Sequence, residues 1–246
     1  TKVVRDFVDE YKAEDAEFVT YKPLTDDDIE KLENEYDVIL EYSGYKDVKV
    51  ESGDLDGATI RVFAKPEKLN LYDVRDGHEP GDGETLLTQD FADAHNIKVG
   101  DEISLGDHSY KVSAYTTKAD YIYMLHTFTG FIDNEKFAVM IVDRQEYDKI
   151  DAEETAYYSI KYNKDNSKEV RKRLNKDYVI ASYMAATTNT RISMPVNEGD
   201  AVSNMATMFA PVMFIIVLTL IVMVLGRNIK SEQYLLGTFI SLGFSR

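Results

Sequence analysis

Apolar positions change their spacing several times along the chain, and each change predicts a different element. Residues 207–226, TMFAPVMFIIVLTLIVMVLG, carry no charge and no polar side chain beyond two threonines. Twenty helical residues reach about 30 Å, roughly the hydrocarbon thickness of a bilayer. Between Met208 and Leu225, twelve of eighteen residues are Leu, Ile, Val or Phe. Each contributes roughly −0.3 to −0.6 kcal/mol near the bilayer centre, so the run predicts one transmembrane helix. The alternative is a helix buried in a soluble core, but such helices rarely stay apolar all round for this length.

Ahead of this run the spacing is that of a water-exposed domain. Val3, Val4, Phe7, Val8 and Tyr11 share one helical face and predict an amphipathic helix over 3–11, near the membrane surface. Residues 17–22 have an extended pattern. Thr25 then stands as N-cap of a helix in which Asp26, Asp27 and Asp28 meet the positive end of the dipole, with Ile29, Leu32 and Tyr36 facing inward. Three adjacent carboxylates at a helix start point in different directions, so capping explains them better than metal binding. From 37 to 74 the runs VILEY, VKVE, ATIRVFA and KLNLYDV predict short strands. They are punctuated at Ser43-Gly44 and at the turn cluster Gly53-Asp54-Leu55-Asp56-Gly57.

Residues 76–118 predict a β-rich lobe. It comprises a Gly/Pro turn, a strand at 85–88, one or two helical turns at 91–95, and a hairpin closed at Gly106-Asp107 with Ile103, Leu105, Tyr110 and Val112 on its buried side. Beyond it come a strand at 137–143, a helix at 144–149, a strand at 155–162, a helix at 166–176 and a strand at 178–184. That alternation predicts an α/β or α+β layer with helices packed on one sheet face. Residues 197–200 are placed to cap a stalk helix that runs into the span. Pro211 removes the donor for the Thr207 carbonyl and predicts a kink where stalk meets membrane.

Charge adds an orientation. Residues 1–206 have a net charge of −18 and residues 207–246 one of +2. Lys and Arg close to a span are retained on the cytoplasmic side, so Arg227, Lys230 and Arg246 place the C-terminal end inside and the large acidic portion outside. The acidic balance argues against nucleic acid as a partner, because phosphates need Lys and Arg. Cysteine is absent, which removes disulfides, thiolate metal sites and Cys nucleophiles and fits an extracytoplasmic domain that folds without oxidation. An outward N-terminal domain has to be exported, so at least one further hydrophobic segment is expected before Thr1.

No catalytic pattern is complete. His78-Glu79 begins like a zinc-protease helix, but Asp82 stands where the second His is needed and Pro80-Gly81 would break the helix. His78, His95, His108 and His126 are scattered without i, i+4 pairing, which suits surface histidines better than a metal site. There is no complete G-x-S-x-G elbow and no Gly-Lys dipeptide for a phosphate loop. The chain is therefore expected to be non-catalytic, with no catalytic, cofactor-binding or metal-ligating residue and no cofactor.

The segment after the span carries more. GRNIKSEQYLLGTFISLGFSR places Glu232, Leu236, Gly237, Ser241, Leu242, Gly243, Ser245 and Arg246 at positions that resemble the cytoplasmic pattern E-x-x-x-(I/L)-G-x-x-(R/x)-(A/S)-L-G-x-S-(R/K) of FtsX-like (MacB-type) ABC transporter permeases. Residues 77–115, GHEPGDGETLLTQDFADAHNIKVGDEISLGDHSYKVSAY, resemble the extracytoplasmic core pattern of the same family, with His78 in place of its usual arginine. The resemblance covers about residues 76–115 and 207–246.

The resemblance implies an α+β, MacB-like periplasmic core domain over 1–206, a mixed sheet layer with the β-rich lobe at 76–118 and the stalk helix at 197–206. A transmembrane helix at 207–226 and a cytoplasmic ATPase-coupling segment at 227–246 would follow. It implies a permease subunit that couples a separate cytoplasmic ABC ATPase to movement of the outer domain, for export or extraction of a lipid, lipoprotein or peptide. Contact with the ATPase is expected at Lys230, Glu232, Leu236, Gly237, Ser241, Leu242, Gly243 and Phe244. Other expected partners are a second permease subunit, identical or different, membrane lipids, and an external substrate or hydrolase. Two alternatives stay open: a transmembrane signalling subunit controlling a cell-wall hydrolase, and a membrane-anchored binding protein without an ATPase.

Overall fold

The computed structural model describes residues 2–51, 53–128 and 130–243. They fall into two units, residues 2–197 and residues 198–243. In the first, α1 (Lys2–Glu10), β1 (Ala16–Thr20), α2 (Asp26–Tyr36), β2 (Val38–Lys49) and β3 (Thr59–Ala64) are followed by β4 (Glu84–Thr88), α3 (Gln89–Ala94), β5 (Glu102–Leu105) and β6 (His108–Thr116). Then come β7 (Phe137–Val142), α4 (Arg144–Lys149), β8 (Glu154–Tyr162), α5 (Ser167–Asp177) and β9 (Ile180–Ala185), and α6 (Thr190–Ser241) begins.

All nine strands join one mixed sheet in the order β5-β6-β4-β7-β3-β2-β8-β1-β9, parallel at β3–β7 and β4–β6. The 76–118 stretch supplies one end of this sheet. Its hairpin buries Ile103, Leu105, Tyr110 and Val112, as the alternation requires. One sheet face is covered by α2 and α5 at one end and by α3 and α4 at the other. Leu32, Val170 and Leu174 pack on Phe18, Leu40 and Ile160, while Phe91 and Tyr147 pack on Val62, Leu87 and Met140. Full burial of each such side chain stabilises the fold by roughly 1.5–3 kcal/mol. The second face carries Phe63, Leu86, Val139 and Ile141 and is closed by Tyr121 and Met124.

Local chemistry explains the helix starts. Thr25 and Asp28 form a reciprocal capping box: Asp28 N–H donates to Thr25 Oγ1 at 3.3 Å and Thr25 N–H donates to Asp28 Oδ2 at 3.0 Å. Asp28 is consequently held down at a pKa of about 2, chiefly by the Thr25 backbone and side-chain bonds. At the other end of α4, the buried Lys46 ammonium donates to the carbonyls of Tyr147 and Ile150 at 3.0 and 2.8 Å, where a helix leaves its oxygens unpaired.

Three sequence expectations are corrected. The runs 38–42 and 48–51 are not two strands, because β2 runs through Ser43-Gly44 and pairs with β8 from Val38↔Tyr162 to Lys46↔Glu154. Gly44 is there to make room: a Cβ on it would lie 2.5 Å from Glu154 Oε1. Residues 68–74 form no strand among the described residues. They cross the second face, touching it through an isolated bridge at Tyr72↔Lys118. Finally, the last helix starts at Thr190 and not near Asn197. Asn189 Oδ1 accepts the Arg191 N–H at 3.1 Å as an N-cap, and Pro195, which frees the Arg191 carbonyl, is tolerated because Tyr123 N–H donates to that oxygen at 3.2 Å.

The second unit is the remainder of α6. This 52-residue helix runs unbroken through Pro195 and Pro211, and contains a segment long and apolar enough to cross a membrane, none of which is buried among the described residues.

Candidate functional site

Residues 227–243 continue α6 out of the apolar run. Lys230, Glu232, Leu236, Gly237 and Ser241 lie within the helix, Leu242 and Gly243 form the turn that ends it, and all seven are exposed. Phe244, with Ser245 and Arg246, lies outside the described residues. Helical spacing divides the others into two stripes. Lys230, Gly237 and Ser241 follow each other at intervals of seven and four, and Glu232, Leu236 and Ile240 run along a line about a third of a turn away.

The chemistry of the two stripes differs. Gly237 faces open space and carries no side chain, so a neighbouring backbone can approach this stripe closely. Beside it Leu235, Leu236, Ile240 and Leu242 are all more than half exposed. Ser241 Oγ donates back to the Thr238 carbonyl and Thr238 Oγ1 to the Tyr234 carbonyl, both within the helix, so these hydroxyls add little polarity to the surface. A helix with exposed leucines beside a glycine can pack against another protein. It offers no acid, base or nucleophile arranged for chemistry.

The globular unit has its own polar centre, beneath the second sheet face. Arg61 bonds Asp47, its partner across β2 and β3, through Nε at 2.7 Å and Nη2 at 2.6 Å, and donates from Nη1 to Tyr121 Oη at 2.7 Å. Its guanidinium lies 3.8 Å from the centroid of the Tyr45 ring. Arg191, at the start of α6, stacks on Tyr121 and Phe128 and donates to the carbonyls of Leu125 and His126. Lys118 and Asp120, both almost completely buried, pair at 2.5 Å.

Glu14 is different, because no cation among the described residues pairs with it. It is 2% exposed, its Oε2 accepts from Asn70 Nδ2 at 2.9 Å, and its Oε1 has no donor. Burial, followed by the charges of Asp120 and Glu17, pushes its pKa up to about 8. Glu17 is raised by the same burial and by Asp120. Tyr121, also buried, is raised too. With the cations committed to Asp47, Asp120 and aromatic rings, this centre can tie strands, the 119–128 segment and the start of α6 together. Sequence spacing could not reveal it, since Glu14 and Asn70 are 56 residues apart.

A cavity of about 490 Å³ opens where β3 parts from the first half of β2, between Glu41, Tyr42, Gly44 and the 64–68 segment. Glu41 closes part of that gap by accepting from the N–H groups of Glu67, Lys68 and Leu69. The histidines remain separate: His78 contacts the Glu79 carbonyl, His95 that of Glu135, and His126 the Asp47 carboxylate. Among the described residues no group of three or more His, Asp or Glu gathers in metal-binding geometry.

No family model and no curated protein matches the chain. Solved structures do. The chain is similar to the extracellular domain of the noncanonic ABC-type transporter YknZ from Gram-positive bacteria, at 14% identity and a TM-score of 0.41, over 66% of this chain and 88% of that one. It is also similar to the periplasmic region of MacB from Actinobacillus actinomycetemcomitans, at 10% identity and a TM-score of 0.42, over 76% and 91% of the two chains.

Proposed function

We propose that this chain is the extracytoplasmic domain, second span and ATPase-coupling segment of an FtsX-like ABC transporter permease subunit. Residues 1–206 lie outside, 207–226 cross the bilayer and 227–246 lie in the cytoplasm. The observation that carries this assignment is the surface of α6 beyond the span, with leucines more than half exposed beside Gly237 and none of the described residues covering them. A separate ATPase grips Lys230, Glu232, Leu236, Gly237, Ser241, Leu242, Gly243 and Phe244. Nucleotide binding then favours one packing of the spans over another, and the outer domain follows. The span holds no charged side chain to coordinate a polar substrate at mid-depth, which supports force transmission over conduction. The outer domain serves export or extraction of a lipid, lipoprotein or peptide.

The test is purification of the full-length protein from its native membrane. A stoichiometric ATPase should accompany it and be lost when residues 231–246 are deleted. Recovery of the folded protein with no ATPase would overturn the assignment in favour of an anchored binding protein.

A further inference from the structure

Basic charge is concentrated on one element of an otherwise acidic domain. Residues 164–176 hold six Lys and Arg against two acids, while the rest of 1–206 holds 19 against 41. That stretch forms α5, whose Val170 and Leu174 are buried in the core. Lys168, Arg171, Lys172 and Asn175, at helical intervals of three and four, face outward and line a shallow depression of about 440 Å³ with Ile180 of β9. Arg171 extends across β9, with its guanidinium 4.0 Å from the centroid of the Tyr183 ring. Its neighbour Arg173 is neutralised by Asp177 and Glu35, but Lys168 and Lys172 have no ion-pair partner among the described residues.

β9 is the last strand of the sheet and pairs on one side, with β1. Ala186 N–H donates to the Asp15 carbonyl at 2.8 Å, and with the register Glu17↔Met184 and Val19↔Ser182 this fixes which residues bond β1. Ser182 and Met184 point their main-chain groups inward, and Tyr183 and Ala185 point their N–H groups to the open edge, on the regular side of the register shift. Main-chain donors with no partner among the described residues therefore lie on the strand that flanks the cationic depression, with Arg171 reaching from one to the other.

We propose that this edge receives an extended segment of a partner protein with acidic side chains at alternate positions. The segment adds beside β9 as a tenth strand, bonding the main chain of Tyr183 and the N–H of Ala185. Alternation follows from the strand period: every second side chain falls on the α5 side, where Lys168, Arg171 and Lys172 meet its carboxylates. An anionic membrane would meet the charges alone and leave the open strand edge unused. The open strand edge beside the charges favours a polypeptide. The proposal stands on the globular unit and does not depend on an ATPase partner.

The test uses the full chain in detergent micelles and fluorescent octapeptides. (Val-Glu)₄ should bind and weaken with added salt, whereas (Val-Lys)₄ and the block isomer of four Val then four Glu should not. The K168E/K172E variant, checked for an unchanged unfolding midpoint, should weaken (Val-Glu)₄ binding by about tenfold or more. Ala185→Pro removes an outward N–H at a position where an edge strand tolerates proline, and backbone N-methylation of the peptide removes donors from the other side. Both should abolish binding. The proposal is overturned by failure of (Val-Glu)₄ to bind, by equal binding of the block isomer or the N-methylated peptide, or by capture of phosphatidylglycerol vesicles in place of the peptide.

Discussion

Asn70 holds Glu14 from two directions: its Oδ1 accepts the Glu14 N–H at 2.9 Å and its Nδ2 donates to Glu14 Oε2, also at 2.9 Å. The same Nδ2 donates to Ser159 Oγ on β8 at 3.0 Å. A residue from the irregular 68–74 passage thereby positions a carboxyl at the entry to β1, in a site that supplies hydrogen bonds and no counter-ion.

The pH dependence follows from that arrangement. Below about pH 4.5 Glu14 is protonated in both folded and unfolded chains and burial carries no penalty. As pH rises the unfolded chain ionises first, so this stability is lost progressively up to about pH 8, where the folded-state group ionises as well. Asn70 and Ser159 face the carboxyl as donors, and Asp120 and Glu17 face it as like charges. Glu14→Gln should flatten the fall in unfolding free energy between pH 5 and 8, by an amount on the order of a few kcal/mol. Denaturant titrations across that range measure it, and parallel curves for the two proteins would contradict it.

Gly77 opens the turn ahead of β4 for a steric reason. A Cβ there would lie 1.9 Å from the Ser113 carbonyl oxygen, a backbone atom that cannot swing aside. Gly77→Ala should therefore destabilise the globular unit by about 3 kcal/mol or more, whereas Gly83→Ala meets no atom within 4 Å and is strained only through its φ of +69°. Thermal unfolding of the two variants should show the larger drop at Gly77.

Val179 has a φ of +56° although it is β-branched and half exposed. It sits beside the register shift between β1 and β9, with its carbonyl accepting from Tyr21 N–H at 3.0 Å. Left-handed geometry costs such a residue about 1–2 kcal/mol. Val179→Asn should raise the unfolding midpoint by about 2–4 °C per kcal/mol relieved, and a lowered midpoint would show that its packing outweighs the strain.

What the sequence revealed and what it hid divide along the range of the interactions. α2 was legible because Thr25, Asp28, Leu32 and Tyr36 interact within a few residues, and the β5–β6 hairpin because Gly106 turns between alternating partners. β2 was misread because Gly44, a turn signal locally, is held in the ladder opposite Ala156, more than a hundred residues away. The start of α6 was missed because Pro195 forbids a helix unless some other donor takes the Arg191 carbonyl, and Tyr123 is distant in sequence. The residues at 230–241 proposed to meet an ATPase were legible together because they follow one another on one helix. The Arg61, Asp47 and Tyr121 centre was not, since three separate elements assemble it.

Membrane topology is the most direct test of the central claim, and the absence of native cysteine makes single-cysteine labelling clean. Lys230→Cys and Ser104→Cys, both at exposed positions, would be treated with a membrane-impermeant maleimide on intact cells and again after lysis. The account predicts that Ser104→Cys reacts from outside and Lys230→Cys only after lysis. Labelling of Lys230→Cys on intact cells would contradict it.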